Sequence, residues 1–169
     1  MLQVLKTKSN GVHTFRLGNV LRKVYFGDYE KHFYTKNLQQ HINIMSEVMP
    51  GYILQHGSFN KNAYFVDSKF FTGKALTDTL KPSPSGLYFT KDFIKRFRNF
   101  CIQSARKTYP YSHGDWTPAN VIEHNGEWVL IDWDWVGQRS ILETTKIINQ
   151  RLQQVFGDVD IVTKKDIYH

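Results

Sequence analysis

At 169 residues the chain is long enough for one ordinary domain, or for two small lobes with a real buried core. Its single cysteine, Cys101, excludes an internal disulfide, and no apolar run approaches membrane-spanning length, which excludes a helical span. A net charge of +7 with 15% aromatic residues favours anionic partners, but the lysines and arginines are dispersed rather than blocked, which argues against a nucleic-acid-binding tract.

The brief apolar opening is cut short by Lys6 and Lys8, so no secretory leader is predicted, and a reducing cytosol is the expected home. The first third then reads as strands. LQVLKTKS, HTFRLG and NVLRKVYF are β-rich segments broken at Asn10-Gly11 and Gly18-Asn19, which predicts an antiparallel meander. Asp28 is placed to cap a helix over residues 29 to 48, where Phe33, Leu38, Ile42, Met45 and Met49 fall near helical spacing until Pro50-Gly51 ends it. YILQHGSF and NAYFVDSKFF predict two further strands before a turn at Thr72-Gly73. Pro82, Pro84 and Gly86 mark a linker. Beyond it, Phe89, Phe93, Phe97, Phe100 and Cys101 stripe a helix over residues 90 to 107, with Lys95, Arg96 and Arg98 turned outward. A last amphipathic helix carries Ile141, Thr145, Ile148, Leu152 and Phe156 on one face.

Between those two helices lies HGDWTPANVIEHNGEWVLIDWDW, residues 113 to 135. VIEH and EWVLID flank Asn125-Gly126, the strongest short-range hairpin signal, because a type I′ turn needs positive φ at both central positions. That register sets His124 against Glu127, Ile122 against Val129 and Asn120 against Ile131. Asp132 falls one residue beyond the partner of Asn120, so a regular ladder points the two side chains to opposite faces. They converge only if the ladder frays. Asp115 precedes Asn120 on a segment held by Gly114 and Pro118. A carboxylate beside an asparagine and a second carboxylate suits phosphoryl transfer, where one group orients a hydroxyl and the others hold Mg²⁺ through hard oxygen ligands.

HGDWTPAN fits the H-x-D-x-x-x-x-N catalytic loop, and with IDWDW following it resembles the aminoglycoside phosphotransferase and choline kinase branch of the protein-kinase-like superfamily. The resemblance implies an α+β, two-lobed fold: a β-rich nucleotide-binding lobe over residues 1–66, a hinge and linker over 67–86, and a reduced helical lobe with the catalytic hairpin over 87–169. It implies ATP and Mg²⁺ as cofactors. Asp115 would be the catalytic base with His113 bracing its loop, and Asn120 and Asp132 would be the metal ligands. LRKVYF resembles the strand with the phosphate-binding cation, which makes Lys23 the first assignment and Arg22 the runner-up, since a one-residue shift exchanges their faces. FVDSKFFTGKALTDTL resembles the last small-lobe strand and hinge, placing adenine against the backbone of Val66, Asp67 and Ser68. SNGVH, with Gly11, would cover the phosphates.

The sequence departs from that branch in three ways. Gly11 is the only glycine in the covering loop; Asn37, Gln39 or Gln40 stands where a helix glutamate is usual; and the helical insertions that bind the acceptor are much shorter. The expected activity is transfer of a γ-phosphoryl group to a hydroxyl of a small molecule or sugar; on charge grounds an anionic sugar, a lipopolysaccharide core sugar or a protein hydroxyl is at least as plausible an acceptor as the cationic ones of that branch. A second subunit is one way of completing the acceptor site. A nucleotide-binding pseudokinase that regulates a partner is the alternative, with a nucleic-acid-binding module behind it. Trp116, Trp133 and Trp135 read as packing and hairpin cover.

Overall fold

The computed structural model describes residues 2–7, 12–26, 38–60, 62–79, 82–83, 86–87 and 89–168. Gly11, and the predicted helix start with Asp28 and Phe33, lie outside them. The protein is α+β and divides into two compact units, Met1–Thr72 and Gly73–His169. The first unit therefore takes in residues 67–72, which the sequence placed in the hinge and linker.

In the first unit, strands β1 (Leu2–Thr7), β2 (Val12–Leu17) and β3 (Val20–Phe26) are followed by helix α1 (Leu38–Val48), then β4 (Ile53–Asn60) and β5 (Ala63–Lys69). All five strands form one sheet, ordered β1-β2-β3-β5-β4, with every pairing antiparallel. β5 is thus interior, flanked by β3 on one side and β4 on the other. Residues directly opposed in such a ladder share a face. Val12 pairs with Tyr25 and Lys23 with Val66. One face accordingly carries Val12, Tyr25 and Val66, which cluster with Ile42 of α1, and Ile53 and Tyr64 pack around them. Met45, with no exposed surface, lies one helical turn beyond Ile42. The spacing of those apolar residues is what makes α1 a helix with a buried side, and the tight Pro50-Gly51 turn, closed by a 2.9 Å bond from Tyr52 N–H to Met49 O, returns the chain to β4.

The opposite face holds an ion pair. Arg22 donates from Nε and Nη2 to the two carboxylate oxygens of Asp67, each at 2.7 Å, and Gln55 donates to Asp67 Oδ2 at 2.6 Å. Asp67 is only 2% exposed, and the guanidinium of Arg22 also lies 4.7 Å from the Phe65 ring centre. The Arg22 and Gln55 hydrogen bonds outweigh the opposing effect of burial and hold the Asp67 carboxyl below its usual range. Asp67→Ala is expected to cost about 2 kcal/mol, the low side for a broken buried pair because the Arg22 side chain keeps partial exposure. Urea titration checks this, and the double replacement Arg22→Met with Asp67→Leu should recover most of the loss.

The second unit opens with β6 (Lys74–Ala75), a 3-10 turn at Leu76–Thr79, and the two short strands β7 (Pro82–Ser83) and β8 (Gly86–Leu87). Helix α2 (Lys91–Thr108) follows, then β9 (Tyr111–Ser112), a 3-10 turn at Pro118–Asn120, and the hairpin β10 (Val121–His124) and β11 (Glu127–Leu130). After a 3-10 turn at Trp133–Trp135 come β12 (Gly137–Gln138), α3 (Ile141–Phe156) and α4 (Lys164–Tyr168). The sheet order β11-β10-β6 seats Lys74 and Ala75 on the outer edge of the hairpin, while β12 pairs with β9.

Each long helix starts where its side chains dictate. Thr90 accepts from Phe93 N–H at 3.1 Å at the head of α2. Ser140 and Glu143 form a reciprocal capping box at the head of α3. The aromatic stripe of α2 builds the core of this unit: Phe97 is fully buried, its ring centre 6.3 Å from Trp128 of β11 and 5.6 Å from Phe156 of α3, and Phe89 meets Phe156 edge-on at 4.7 Å. Burying each such ring stabilises the fold by roughly 2 kcal/mol. Two cations expected to face only water are engaged instead. Arg96 stacks over Trp128 at 4.2 Å, and Arg98 donates to the carbonyls of Asp160 and Ile161 at 3.0 Å, tying down the segment before α4. Among the described residues no helix is long and apolar enough to cross a membrane.

Candidate functional site

The hairpin forms in the register predicted from Asn125-Gly126, with Ile122 against Val129 and His124 against Glu127. Asn125 (φ 53°) and Gly126 (φ 82°) both take the left-handed conformation that a type I′ turn requires. At its open end the strand pairing stops at Val121 and Leu130, with one further bond from Ile131 N–H to Asn120 O at 2.8 Å. Both strands then leave the ladder. Asn120 ends a 3-10 turn, and Asp132 adopts φ 58°, ψ 58°, a left-handed conformation that aspartate tolerates better than most residues. The parity that separates the two side chains in a regular ladder does not apply here, because neither belongs to it.

Asp115 and Asn120 are brought together directly. Asn120 Nδ2 donates to Asp115 Oδ2 at 2.8 Å and to the Asp115 carbonyl at 3.1 Å, closing the six-residue loop on itself. Thr117 N–H bonds the same carbonyl at 3.0 Å. Because the amide nitrogen of Asn120 is spent on Asp115, its Oδ1 is the atom left to face a hard cation. Asp115 Oδ1 forms an ion pair with Arg151 Nε of α3 at 3.1 Å. Arg151 was not anticipated from the sequence, where it merely borders the apolar face of α3.

His113 is fully buried, its ring 4.6 Å from Trp133 and 5.7 Å from Trp116. Its Nε2 lies 2.8 Å from the Ile131 carbonyl, which can only accept, so Nε2 carries the proton. Nδ1 therefore accepts the backbone N–H of Asp115 at 3.2 Å. Burial drives its pKa down to about 4, against the opposing pull of the Ile131 carbonyl and of the Asp115 and Asp132 charges. Both carboxylates thus lie within electrostatic range of one neutral imidazole. Both ring nitrogens are committed and no surface is exposed, an arrangement that ties the Asp115 loop to Ile131. Trp116 and Trp133 are buried while Trp135 is 45% exposed, so the first two cannot serve as a stacking platform for bases.

A further support escaped sequence reading. Arg139 donates to the carbonyls of Ser112 at 2.8 Å and Trp135 at 3.0 Å, clamping the chain before His113 to the chain after Asp132. No local pattern announces such a residue.

Asn120 Oδ1 and the Asp132 carboxylate are hard oxygen donors of the type Mg²⁺ takes, an ion that keeps several waters and needs few protein oxygens. No group of three or more His, Cys, Asp or Glu side chains suited to a metal occurs among the described residues, so a zinc-type cage is not formed there.

In the first unit, Lys23 shares the α1-covered face with Val66, whereas Arg22 points to the other face and is committed to Asp67. Arg22, the runner-up for the phosphate-binding cation, thus spends its guanidinium on Asp67 within this sheet. Val66, Asp67 and Ser68 are paired with β3 and β4 at once. The chain first leaves the sheet after Lys69.

No protein-family model matches the chain, and no curated protein sequence matches it significantly. Its fold is similar to that of WbdD. A crystal structure of WbdD aligns with a TM-score of 0.62 at 16% identity, over 94% of this chain and 38% of that one. A co-crystal structure of WbdD with the kinase inhibitor LY294002 aligns with a TM-score of 0.59 at 18% identity, over 90% of this chain and 37% of that one. The chain spans less than two-fifths of the WbdD structures, and at these identities the likeness is one of fold.

Proposed function

We propose that the chain is an ATP-dependent phosphotransferase that moves a γ-phosphoryl group to an acceptor hydroxyl, in the manner of the aminoglycoside phosphotransferase and choline kinase branch. The observation that carries this reading is the 2.8 Å bond from Asn120 Nδ2 to Asp115 Oδ2. In this reading the bond orients Asp115 as the base and leaves the side-chain oxygen of Asn120 for a cation. The fold likeness to WbdD adds weight.

In the proposed reaction Asp115 orients the acceptor hydroxyl, whose oxygen bonds to the γ-phosphorus as the bond to the bridging oxygen breaks. The electron pair leaves on ADP, and the proton passes to Asp115 late. Asn120 and Asp132 would hold Mg²⁺, which when bound offsets the charge developing on the phosphates. Lys23 is the proposed partner of the α and β phosphates, and His113 holds the Asp115 loop. ATP turnover against a panel of hydroxyl acceptors is the test. Asp115→Ala and Asp132→Ala should each bring it to background, and activity surviving both would remove the assignment.

A nucleotide-binding pseudokinase is a second reading, favoured by the Arg151 guanidinium seated on Asp115. It would show ATP-dependent thermal stabilisation without transfer or hydrolysis.

A further inference from the structure

Arg151 is paired with the carboxylate that an acceptor hydroxyl would have to reach. Its Nε forms an ion pair with Asp115 Oδ1 at 3.1 Å, and Nη1 donates to Gln154 Oε1 at 2.9 Å, which holds the guanidinium from its other end. No described residue accepts from Nη2. The other oxygen of Asp115 is taken by Asn120. A base that must come within about 3 Å of the acceptor oxygen thus has both of its oxygens engaged before any acceptor arrives. Its neighbour Leu152 is fully buried, so the backbone of α3 is anchored there while the Arg151 side chain stays 38% exposed and able to turn.

The chemistry of the acceptor follows from what could release that guanidinium. A cationic acceptor meets a like charge at close range, and a neutral one offers nothing in exchange for Asp115. A carboxylate or phosphate offers two oxygens to the fork of Nε and Nη2, the geometry in which arginine binds anions best. Asp115 and Asp132 repel an anion here, so the guanidinium has to supply the attraction.

We infer that Arg151 is the specificity-determining residue for an anionic acceptor, a hydroxyl compound with a carboxylate or phosphate a few bonds from the reacting oxygen. This rests on the phosphotransferase reading. In the resting protein Arg151 holds Asp115; the acceptor's anion draws it away and frees Oδ1 for the hydroxyl. Transfer then proceeds as above, oxygen to γ-phosphorus, electron pair to ADP, proton to Asp115.

Calorimetric titration of the full chain with glycerol 3-phosphate and with glycerol tests it. Glycerol 3-phosphate should bind the wild type in preference to glycerol, and R151Q should weaken that binding about tenfold, with R151K recovering part. D115N, which removes the internal anion competing for Arg151, should tighten it about threefold or more, a gain that a purely structural ion pair does not predict. Equal affinity in wild type and R151Q, or no tightening in D115N, would overturn the inference. Turnover of glycerol as efficient as that of glycerol 3-phosphate in both wild type and R151Q overturns it while keeping the phosphotransferase reading. The expected affinities without ATP turnover support the Arg151 site and count against that reading instead.

Discussion

Gly114→Ala is expected to destabilise the second unit by about 4 kcal/mol and to abolish the proposed ATP turnover along with it. Two costs combine. At φ 85° a side chain is strained by roughly 1–2 kcal/mol, and the added methyl would lie 2.7 Å from the Trp135 carbonyl oxygen and 3.0 Å from Trp135 Cβ. That carbonyl cannot withdraw. Arg139 Nη2 holds it at 3.0 Å, and just beyond it Gly137 pairs with Ser112, on the strand that leads into His113. Any relief of the clash therefore moves the segment after Asp132 against the one carrying Asp115. Gly126→Ala separates the two costs, since Gly126 has φ 82° with nothing within 4 Å of the added carbon, and it should lose only about 1 kcal/mol. Urea titration monitored by near-ultraviolet dichroism, which reports Trp116 and Trp133, measures both. A loss at Gly114 no larger than at Gly126 would show that the loop is not clamped.

The hairpin could be read in advance because its information is local. Asn125-Gly126 admits one tight turn, and that turn fixes every partner back to Val121 and Leu130. The long elements were equally legible: apolar residues recur at helical spacing in α2 and α3, and the strands of the first unit are β-rich runs between turn residues. Two-residue strands such as β6, β9 and β12 carry no periodicity, and they appear only once the chain has brought their partners close.

Side-chain pairings across long separations were invisible for the same reason. Arg22 and Asp67 lie 45 positions apart, and only the register of β3 on β5 sets them face to face. That same register separates the two neighbouring cations, because it turns Lys23 to the helix-covered face and spends Arg22 on Asp67 on the other. The site shows the pattern again. Asp115 and Asn120, five residues apart, were legible as a pair, whereas Arg139 and Arg151 reach it from other elements. The left-handed turn at Asp132 also left no signature, since aspartate is common in turns of many kinds.

Stability should fall as pH drops from about 6.5 to 4, and His113 is the cause. In the unfolded chain its imidazole takes up a proton near 6.5, while in the fold burial holds it neutral down to about 4. Between those values the unfolded state binds more protons, so acidification favours unfolding; above 6.5 the whole contribution is present. A drop from 6.5 to about 4, at about 1.4 kcal/mol per pH unit, makes this roughly 3.5 kcal/mol. Glu143, whose carboxyl is held low by the hydroxyl and N–H of Ser140, begins to add its own loss only below its ordinary 4.5. The two windows are therefore separable. Urea titrations at several pH values should show the upper loss in the wild type and not in His113→Asn, and parallel profiles would refute the assignment. The same proton reaches the site, because a protonated Nδ1 can no longer accept the Asp115 N–H at 3.2 Å. Acid should thus loosen the loop that holds Asp115 before it unfolds the chain, and hydrogen exchange at the Asp115 amide would reveal that opening.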